Sequence, residues 1–96
     1  MTIRTPPAFP MSTSERAAWP LLLATLRLYV DSLGPLTPER AYQVLCHQDD
    51  DAPRQLLQFS PRHVRAAMRE LERDGAVQRV QAGEAVGYVL AAERST

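Results

Sequence analysis

Residues 60–90 constrain the fold of this chain most, because they predict a helix that leads through a glycine into a β-hairpin. Ser60 is a favourable N-cap, and Pro61 suits the first position of a helix. Gly75 follows the last residue of the apolar pattern, where helices commonly end. Both ends of a helix over residues 61–74 are therefore marked in the sequence.

This predicted helix has two chemically different sides. At about 100° per residue, its apolar residues share one side and four arginines share the other. Arginines in one stripe repel each other, and the helix dipole disfavours a cation near the N-terminus by about 0.3–1 kcal/mol. The arrangement therefore favours an anionic partner. The apolar side comprises Val64, Ala67, Met68 and Leu71, and the basic side comprises Arg62, Arg65, Arg69 and Arg73.

The hairpin is predicted from two short apolar segments that flank a glycine. Residues 76–81 and 85–90 predict strands, and residues 82–84 predict the turn between them. Val86, Tyr88 and Leu90 give the second strand a partial alternation of apolar side chains.

Length and composition indicate one small domain. The 96 residues allow a single modest core, and one cysteine excludes an intramolecular disulfide. Without a signal peptide or a membrane-length apolar run, we expect a cytoplasmic protein with no membrane partner. The charges balance, 11 basic against 11 acidic, so any basic surface is local. Every basic residue is arginine, a bias that a GC-rich coding sequence also produces.

The predicted domain spans residues 13–92. Residues 1–12 contain three prolines and one charge, which predicts a disordered or loosely attached arm. Residues 93–96 are predicted to be a disordered C-terminus.

A long first helix, from caps at residues 12–14 to about residue 33, carries two apolar stripes, and Pro20 either kinks it or starts its main segment. A surface helix of a monomer buries one stripe, so the second is predicted to contact a twin subunit or the N-terminal arm. The alternative is that its leucines are tolerated on the surface. The inner stripe comprises Trp19, Leu22, Leu26, Tyr29, Val30 and Leu33; the outer stripe, our predicted dimer interface, comprises Ala17, Leu21, Ala24 and Leu28.

The middle of the chain predicts a short helix and a polar loop. Thr37, Pro38 and Glu39 give the order of cap, proline and acid that starts a helix, which we expect to run to about residue 46. A loop over 47–53 precedes one helical turn over 54–59. Its residues Leu56, Leu57 and Phe59 are predicted in the core, as are Ala41, Val44 and Leu45 of the short helix.

Three to four helices followed by a two-stranded antiparallel hairpin form the α+β layout of a winged helix-turn-helix. Residues 64–77, Val-Arg-Ala-Ala-Met-Arg-Glu-Leu-Glu-Arg-Asp-Gly-Ala-Val, resemble the recognition helix and the start of the wing in GntR-type transcriptional regulators, and more loosely those of the MarR and ArsR types. Residues 87–90, Gly-Tyr-Val-Leu, are similar to the returning wing strand. The resemblance implies a DNA-contacting role for Arg65.

The chain departs from this pattern in three places. Pro61 stands where the GntR pattern has arginine, and the connection between the second and third helices is longer than in a plain helix-turn-helix. The wing tip, residues 81–84, also lacks the cation often used to reach the minor groove.

The chemistry of this helix favours DNA apart from the resemblance. A helix fits the major groove, arginine can bind guanine O6 and N7 together, and polar residues near a helix N-terminus can hold phosphates. The alternative is a solvated face whose arginines pair with Glu70, Glu72 and Asp74. The predicted DNA-binding residues are Ser60, Arg62, His63, Arg65 and Arg69 on the helix, and Arg79 and Gln81 on the wing.

The sequence lacks the motifs of nucleophilic catalysis and of calcium binding. Cys46 and His47 are adjacent, so they point in different directions on a helix and do not form a nucleophile and base pair. Residues 49–51 lack the spacing of a calcium loop. We therefore predict no enzyme, no cofactor and no metal site.

The sequence favours a small homodimeric transcriptional regulator, encoded on a chromosome, a plasmid or a phage, that binds double-stranded DNA sequence-specifically. The competing interpretation is a winged-helix module for protein–protein interaction that does not bind DNA.

Overall fold

The structure, a computed structural model, describes residues 11–91. It contains three α-helices, α1 (Thr13–Leu33), α2 (Pro38–Gln43) and α3 (Pro61–Arg73), followed by strands β1 (Val77–Ala82) and β2 (Ala85–Leu90). This α+β order of helices and hairpin confirms the predicted sequence of elements and is compatible with a winged-helix-like layout. Nearly all of the predicted arm, residues 1–10, and the predicted disordered C-terminus, residues 93–96, lie outside the described residues.

The side chains that begin the helices are those that the sequence predicts. The Oγ atom of Ser12 accepts from the Glu15 backbone N–H, and the Glu15 side chain accepts in return from the Ser12 N–H. Thr37 caps α2 in the same way, by accepting from the Arg40 N–H. Each cap satisfies a backbone donor that has no partner inside its helix. Pro20 lies within one continuous α1.

The core confirms the apolar side of α3 and most of the inner stripe of α1. Leu33, the last residue of α1, is an exception, since it is 46% exposed. Leu57 is also exposed, contrary to prediction, because neighbouring residues of a tight turn point in different directions. The buried residues predicted from the sequence are Trp19, Leu22, Leu26, Tyr29, Val30, Ala41, Val44, Leu45, Leu56, Phe59, Val64, Ala67, Met68 and Leu71.

The connection from α2 to α3 differs from the predicted helix and loop. The α-helical geometry of α2 ends at Gln43, and a π-helical turn, Val44–Gln48, continues it. The Asp49 N–H donates to the Val44 carbonyl at 2.8 Å, which closes this wider turn. A 3₁₀ turn, Arg54–Gln58, occupies the place of the predicted helical turn and leads to the N-cap of α3.

The hairpin has a tighter turn than predicted. Ala82 belongs to β1 and lies opposite Ala85, so only Gly83 and Glu84 form the turn. Gly83 has a φ of 66°, and a glycine at the first position of a two-residue turn suits the twist of the strands. Gly75 has a φ of 82° after α3, which confirms the predicted helix end.

An isolated β-bridge, which was not predicted from the sequence, connects Leu36, just before α2, to the hairpin. The Leu36 N–H donates to the Tyr88 carbonyl at 2.9 Å, and the Tyr88 N–H donates to the Leu36 carbonyl at 2.8 Å. Gly87 permits this approach, because a Cβ atom there would lie 3.3 Å from the Leu36 nitrogen. The hairpin is thereby fixed to the helical part of the fold.

Candidate nucleic-acid interface

Helix α3 presents its arginines to solvent and its apolar residues to the core. Arg62, Arg65, Arg69 and Arg73 are all exposed, whereas the opposite side of the helix is buried. The structure therefore confirms the two-sided pattern of this helix. We call the four arginines the arginine face.

Ser60 and His63 hold the beginning of α3 rather than extend the arginine face. The Ser60 N–H donates to His63 Nδ1 at 3.1 Å, and the His63 N–H donates to Ser60 Oγ at 3.4 Å. This is a capping box in which histidine takes the place of the usual glutamate or glutamine. The capping role of Ser60 was predicted, while that of His63 was not.

His63 also connects α3 to α1. Its Nδ1 accepts from the Ser60 backbone N–H, so Nε2 is the ring nitrogen directed toward α1. That atom lies 3.4 Å from Glu15 Oε2, and the imidazole contacts the ring of Phe59 at a centroid distance of 5.3 Å. The His63 side chain is only 13% exposed. Its contacts thus fix the entry of α3 against the N-terminus of α1.

Arg65 pairs with a carboxylate of α2. Its guanidinium Nη2 lies 3.3 Å from Glu39 Oε2, and the two side chains are 48% and 67% exposed. Solvent-exposed pairs of this kind contribute about 0–1 kcal/mol, so a competing anion displaces them at little cost. Arg65 is accordingly held in place without being buried.

The C-terminal half of the arginine face continues onto the hairpin. Arg69, Glu72, Arg73 and Arg79 line a shallow open groove between α3 and β1. Arg79 Nε lies 3.1 Å from Glu72 Oε2, which leaves the terminal guanidinium nitrogens of Arg79 outside that contact. Three cations and one carboxylate give the groove a net positive charge.

Tyr88 lies close to this groove. Burial raises the pKa of its hydroxyl and the nearby Glu72 carboxylate raises it further, while Arg79 and Arg69 act in the opposite direction. The carboxylate and the arginines of the groove therefore act on this hydroxyl in opposite directions.

Gln81 stabilises the hairpin tip. Its amide Nε2 donates to the Gly83 carbonyl at 2.9 Å, and its side chain is exposed. Glu84, the other turn residue, is also exposed. The tip thus combines a polar amide with an acidic residue.

Glu70 does not join the arginine face. It is 9% exposed, and its Oε1 accepts a hydrogen bond of 3.0 Å from Trp19 Nε1. Glu39 pairs with Arg65 and Glu72 pairs with Arg79, and of these two carboxylates only Glu72 was predicted from the sequence as a partner of the arginines. No local pattern connects Glu39 with Arg65, which lies 26 residues later.

The outer stripe of α1 lies largely in solvent. Ala17 and Ala24 are exposed, Leu28 is 64% exposed, and Leu21 is half-buried against the core. An apolar row on the outside of a helix is available for a further contact.

Asp49 and Cys46 belong to the segments that the sequence analysis considered for metal binding and catalysis. Asp49 accepts from the Tyr29 hydroxyl at 2.6 Å and from the Asp51 N–H at 3.1 Å, while Cys46 is a half-buried free thiol. Within residues 11–91, no group of histidine, cysteine and acidic side chains is placed to hold a metal ion. No helix in that range has the length and apolar character needed to cross a membrane.

Comparison of the sequence with protein-family models found no match, and neither did comparisons with curated proteins or with solved structures. The resemblance to GntR-type regulators therefore rests on residues 64–77 and 87–90 alone.

Proposed function

We propose that this protein binds double-stranded DNA sequence-specifically as a small dimeric transcriptional regulator with a winged helix-turn-helix fold. The observation that carries this proposal is the arginine face, which is exposed along α3 and continued by Arg79 of β1. A row of exposed arginines along a helix whose opposite side is buried suits an extended polyanion.

In this proposal α3 enters the major groove. Arg65 and Arg69 reach base edges, where arginine binds guanine O6 and N7 together, and Arg62 lies toward the phosphates at the helix N-terminus. Arg79 and Gln81 contact the adjacent backbone from the hairpin. Ser60 and His63 act indirectly, by fixing the angle at which α3 leaves the domain.

The ion pairs of the free protein are compatible with this role. Arg65 exchanges the exposed Glu39 carboxylate, and Arg79 the half-buried Glu72 carboxylate, for a phosphate or a base, and the release of counterions from DNA favours the exchange at low salt. Because the net charge of the chain is zero, attraction to DNA depends on the orientation of the arginine face.

The competing proposal is a winged-helix module that binds another protein. The carboxylates Glu39 and Glu72 beside the arginines and the acidic tip residue Glu84 favour it, since a partner with interleaved charges would match them. DNA titration separates the two functions.

We expect the protein to bind a fluorescently labelled duplex of random sequence, and Arg65→Ala/Arg69→Ala to weaken binding at least about tenfold. Anisotropy at two salt concentrations measures the affinity, and affinity should fall steeply with salt. The matched control is Arg27→Ala/Arg54→Ala, which removes the same charge from exposed positions outside the arginine face.

Absence of binding at low salt contradicts the DNA-binding proposal and favours the protein-interaction module. Binding that is indifferent to salt and to both substitutions contradicts it as well. If binding is confirmed, selection from the random duplex pool identifies the preferred sequence.

Two half-sites require two copies of α3. We place the contact between copies on the outer stripe of α1, which leaves both arginine faces exposed. A two-fold dimer of this kind presents its helices about 34 Å apart, one turn of DNA, on a pseudo-palindromic site.

A further inference from the structure

We infer that two copies of this chain pair through antiparallel α1 helices, with Arg16 of each copy against Asp31 of the partner subunit. This pairing rests on the dimer proposed above and specifies its register. It concerns charged residues that border the outer stripe and that the DNA-binding proposal does not use.

Charged residues border the outer stripe on one edge only. At about 100° per residue, Arg16, Arg27 and Asp31 follow one edge of the stripe, while Ser14 and Ser32 follow the other. All three charged side chains are exposed, and in the part of the chain that the structure describes none of them forms an ion pair. These charges are therefore available to a second molecule.

A two-fold axis perpendicular to α1 brings this edge of one copy against the same edge of the other, in the opposite direction. The two ends of the edge then meet, and they carry opposite charges, Arg16 near the N-terminus of α1 and Asp31 near its C-terminus. Aligning them forms two equivalent ion pairs. The alignment also places Arg27 opposite Pro20 of the partner subunit, so like charges do not meet along the edge.

The same register interlocks the apolar stripes. Leu21 of one copy falls between Ala24 and Leu28 of the partner subunit, and Leu28 falls between Ala17 and Leu21 of the partner subunit. The alanines leave room for each leucine, as in the knobs-into-holes packing of paired helices. Leu28, the most exposed of the large apolar residues described, becomes covered. Charge and shape thus select the same occupant for this face, a second copy of the chain.

Charge reversal tests the register. Arg16→Asp and Asp31→Arg each convert two attractive pairs into like-charge pairs, whereas the double variant restores both pairs with reversed polarity. Neither reversal weakens α1 itself, because an acid near the N-terminus and a base near the C-terminus both suit the helix dipole. Arg27→Asp is the matched control, since it makes the same change of charge on the same edge.

Sedimentation equilibrium of the full chain without DNA measures the dissociation constant of the dimer at low salt. We expect each single reversal to raise this constant about tenfold, and the double variant and Arg27→Asp to stay within about threefold of the natural chain. Leu21→Glu/Leu28→Glu should give a soluble monomer, because it places carboxylates in the apolar contact.

Three results would overturn the inference. Single reversals without effect, or a double variant that stays weak, contradict the antiparallel register even if the leucine variant is monomeric. A natural chain that is monomeric at every accessible concentration contradicts the dimer itself and leaves the N-terminal arm as the occupant of the stripe. Because DNA is absent, none of these results depends on whether the arginine face binds it.

Discussion

The hydrogen bond between Trp19 and Glu70 joins two residues that lie 51 positions apart in the chain. Both are largely buried, so the indole N–H and the carboxylate each need a partner inside the protein. A buried donor that loses its acceptor costs about 1–3 kcal/mol, more than the net contribution of an ordinary hydrogen bond. The pair therefore fixes one point of α3 against α1.

We expect Glu70→Ala to lower the free energy of unfolding by about 2–4 kcal/mol, because it leaves the Trp19 N–H without this acceptor and opens a cavity. Glu70→Gln, the matched control, keeps an acceptor of the same length and should cost clearly less. Urea unfolding followed by the fluorescence of Trp19, the single tryptophan of the chain, measures both. Equal stability of the two variants would contradict this role.

For single residues, the sequence predicts the interactions between neighbours in the chain. Ser12, Thr37 and Ser60 were predicted as caps, because a cap is decided within four residues. The partners of Glu70, Asp49 and Arg65 were not predictable, since each lies on another element and depends on how the elements pack.

The same distinction between local and long-range interactions applies to the helices and strands. Helices α1 and α3 and the two strands were predicted within a residue or so of their observed bounds, because periodicity and end signals agree there. The π-helical turn after α2 and the bridge at Leu36 were missed. Neither has a sequence period of its own, and both depend on contacts with α1 or β2.

The bridge between Leu36 and Tyr88 depends on a glycine, which has no side chain, at position 87. We expect Gly87→Val to lower the free energy of unfolding by about 1–3 kcal/mol, because its side chain would collide with Pro35 and the Leu36 backbone. Ala85→Val, an exposed substitution in the same strand, is the control and should be neutral or slightly stabilising. Thermal unfolding compares them, and equal melting temperatures would show that the approach of Leu36 is not tight.

Across the whole molecule, stability should decline in alkali. Burial raises the pKa of Tyr29, and its hydrogen bond to Asp49 raises that pKa further. The folded state therefore keeps the phenol neutral at a pH where the unfolded chain, with a tyrosine pKa of about 10, ionises. The stabilisation is complete below about pH 10 and is lost as the pH rises through the higher pKa of the folded state.

We expect the ionisation of Tyr29 in the unfolded chain to lower the free energy of unfolding by up to about 1.4 kcal/mol per pH unit above pH 10, and Tyr29→Phe to remove this part of the slope. Urea unfolding at several pH values from 9 to 11 measures the effect. Parallel slopes for the two proteins would show that Tyr29 ionises as easily in the folded state as in the unfolded chain.

The candidate site was predicted in part for the same physical reasons. Spacings of three and four residues place the arginines on one side of any helix, so their exposure followed from the sequence. The inward turn of His63 did not, because Glu15 and Phe59 reach it from other elements. The groove between α3 and Arg79 likewise requires the hairpin to fold back toward α3.

The two connections from α3 to α1, His63 to Glu15 and Glu70 to Trp19, have a consequence for how two copies would meet DNA. They lie about two helical turns apart on α3, so they fix both its position and its direction relative to α1. In the proposed dimer the symmetry axis passes between the two α1 helices. The separation of the two recognition helices is then set by one rigid unit, and the number of base pairs between half-sites becomes a property of α1.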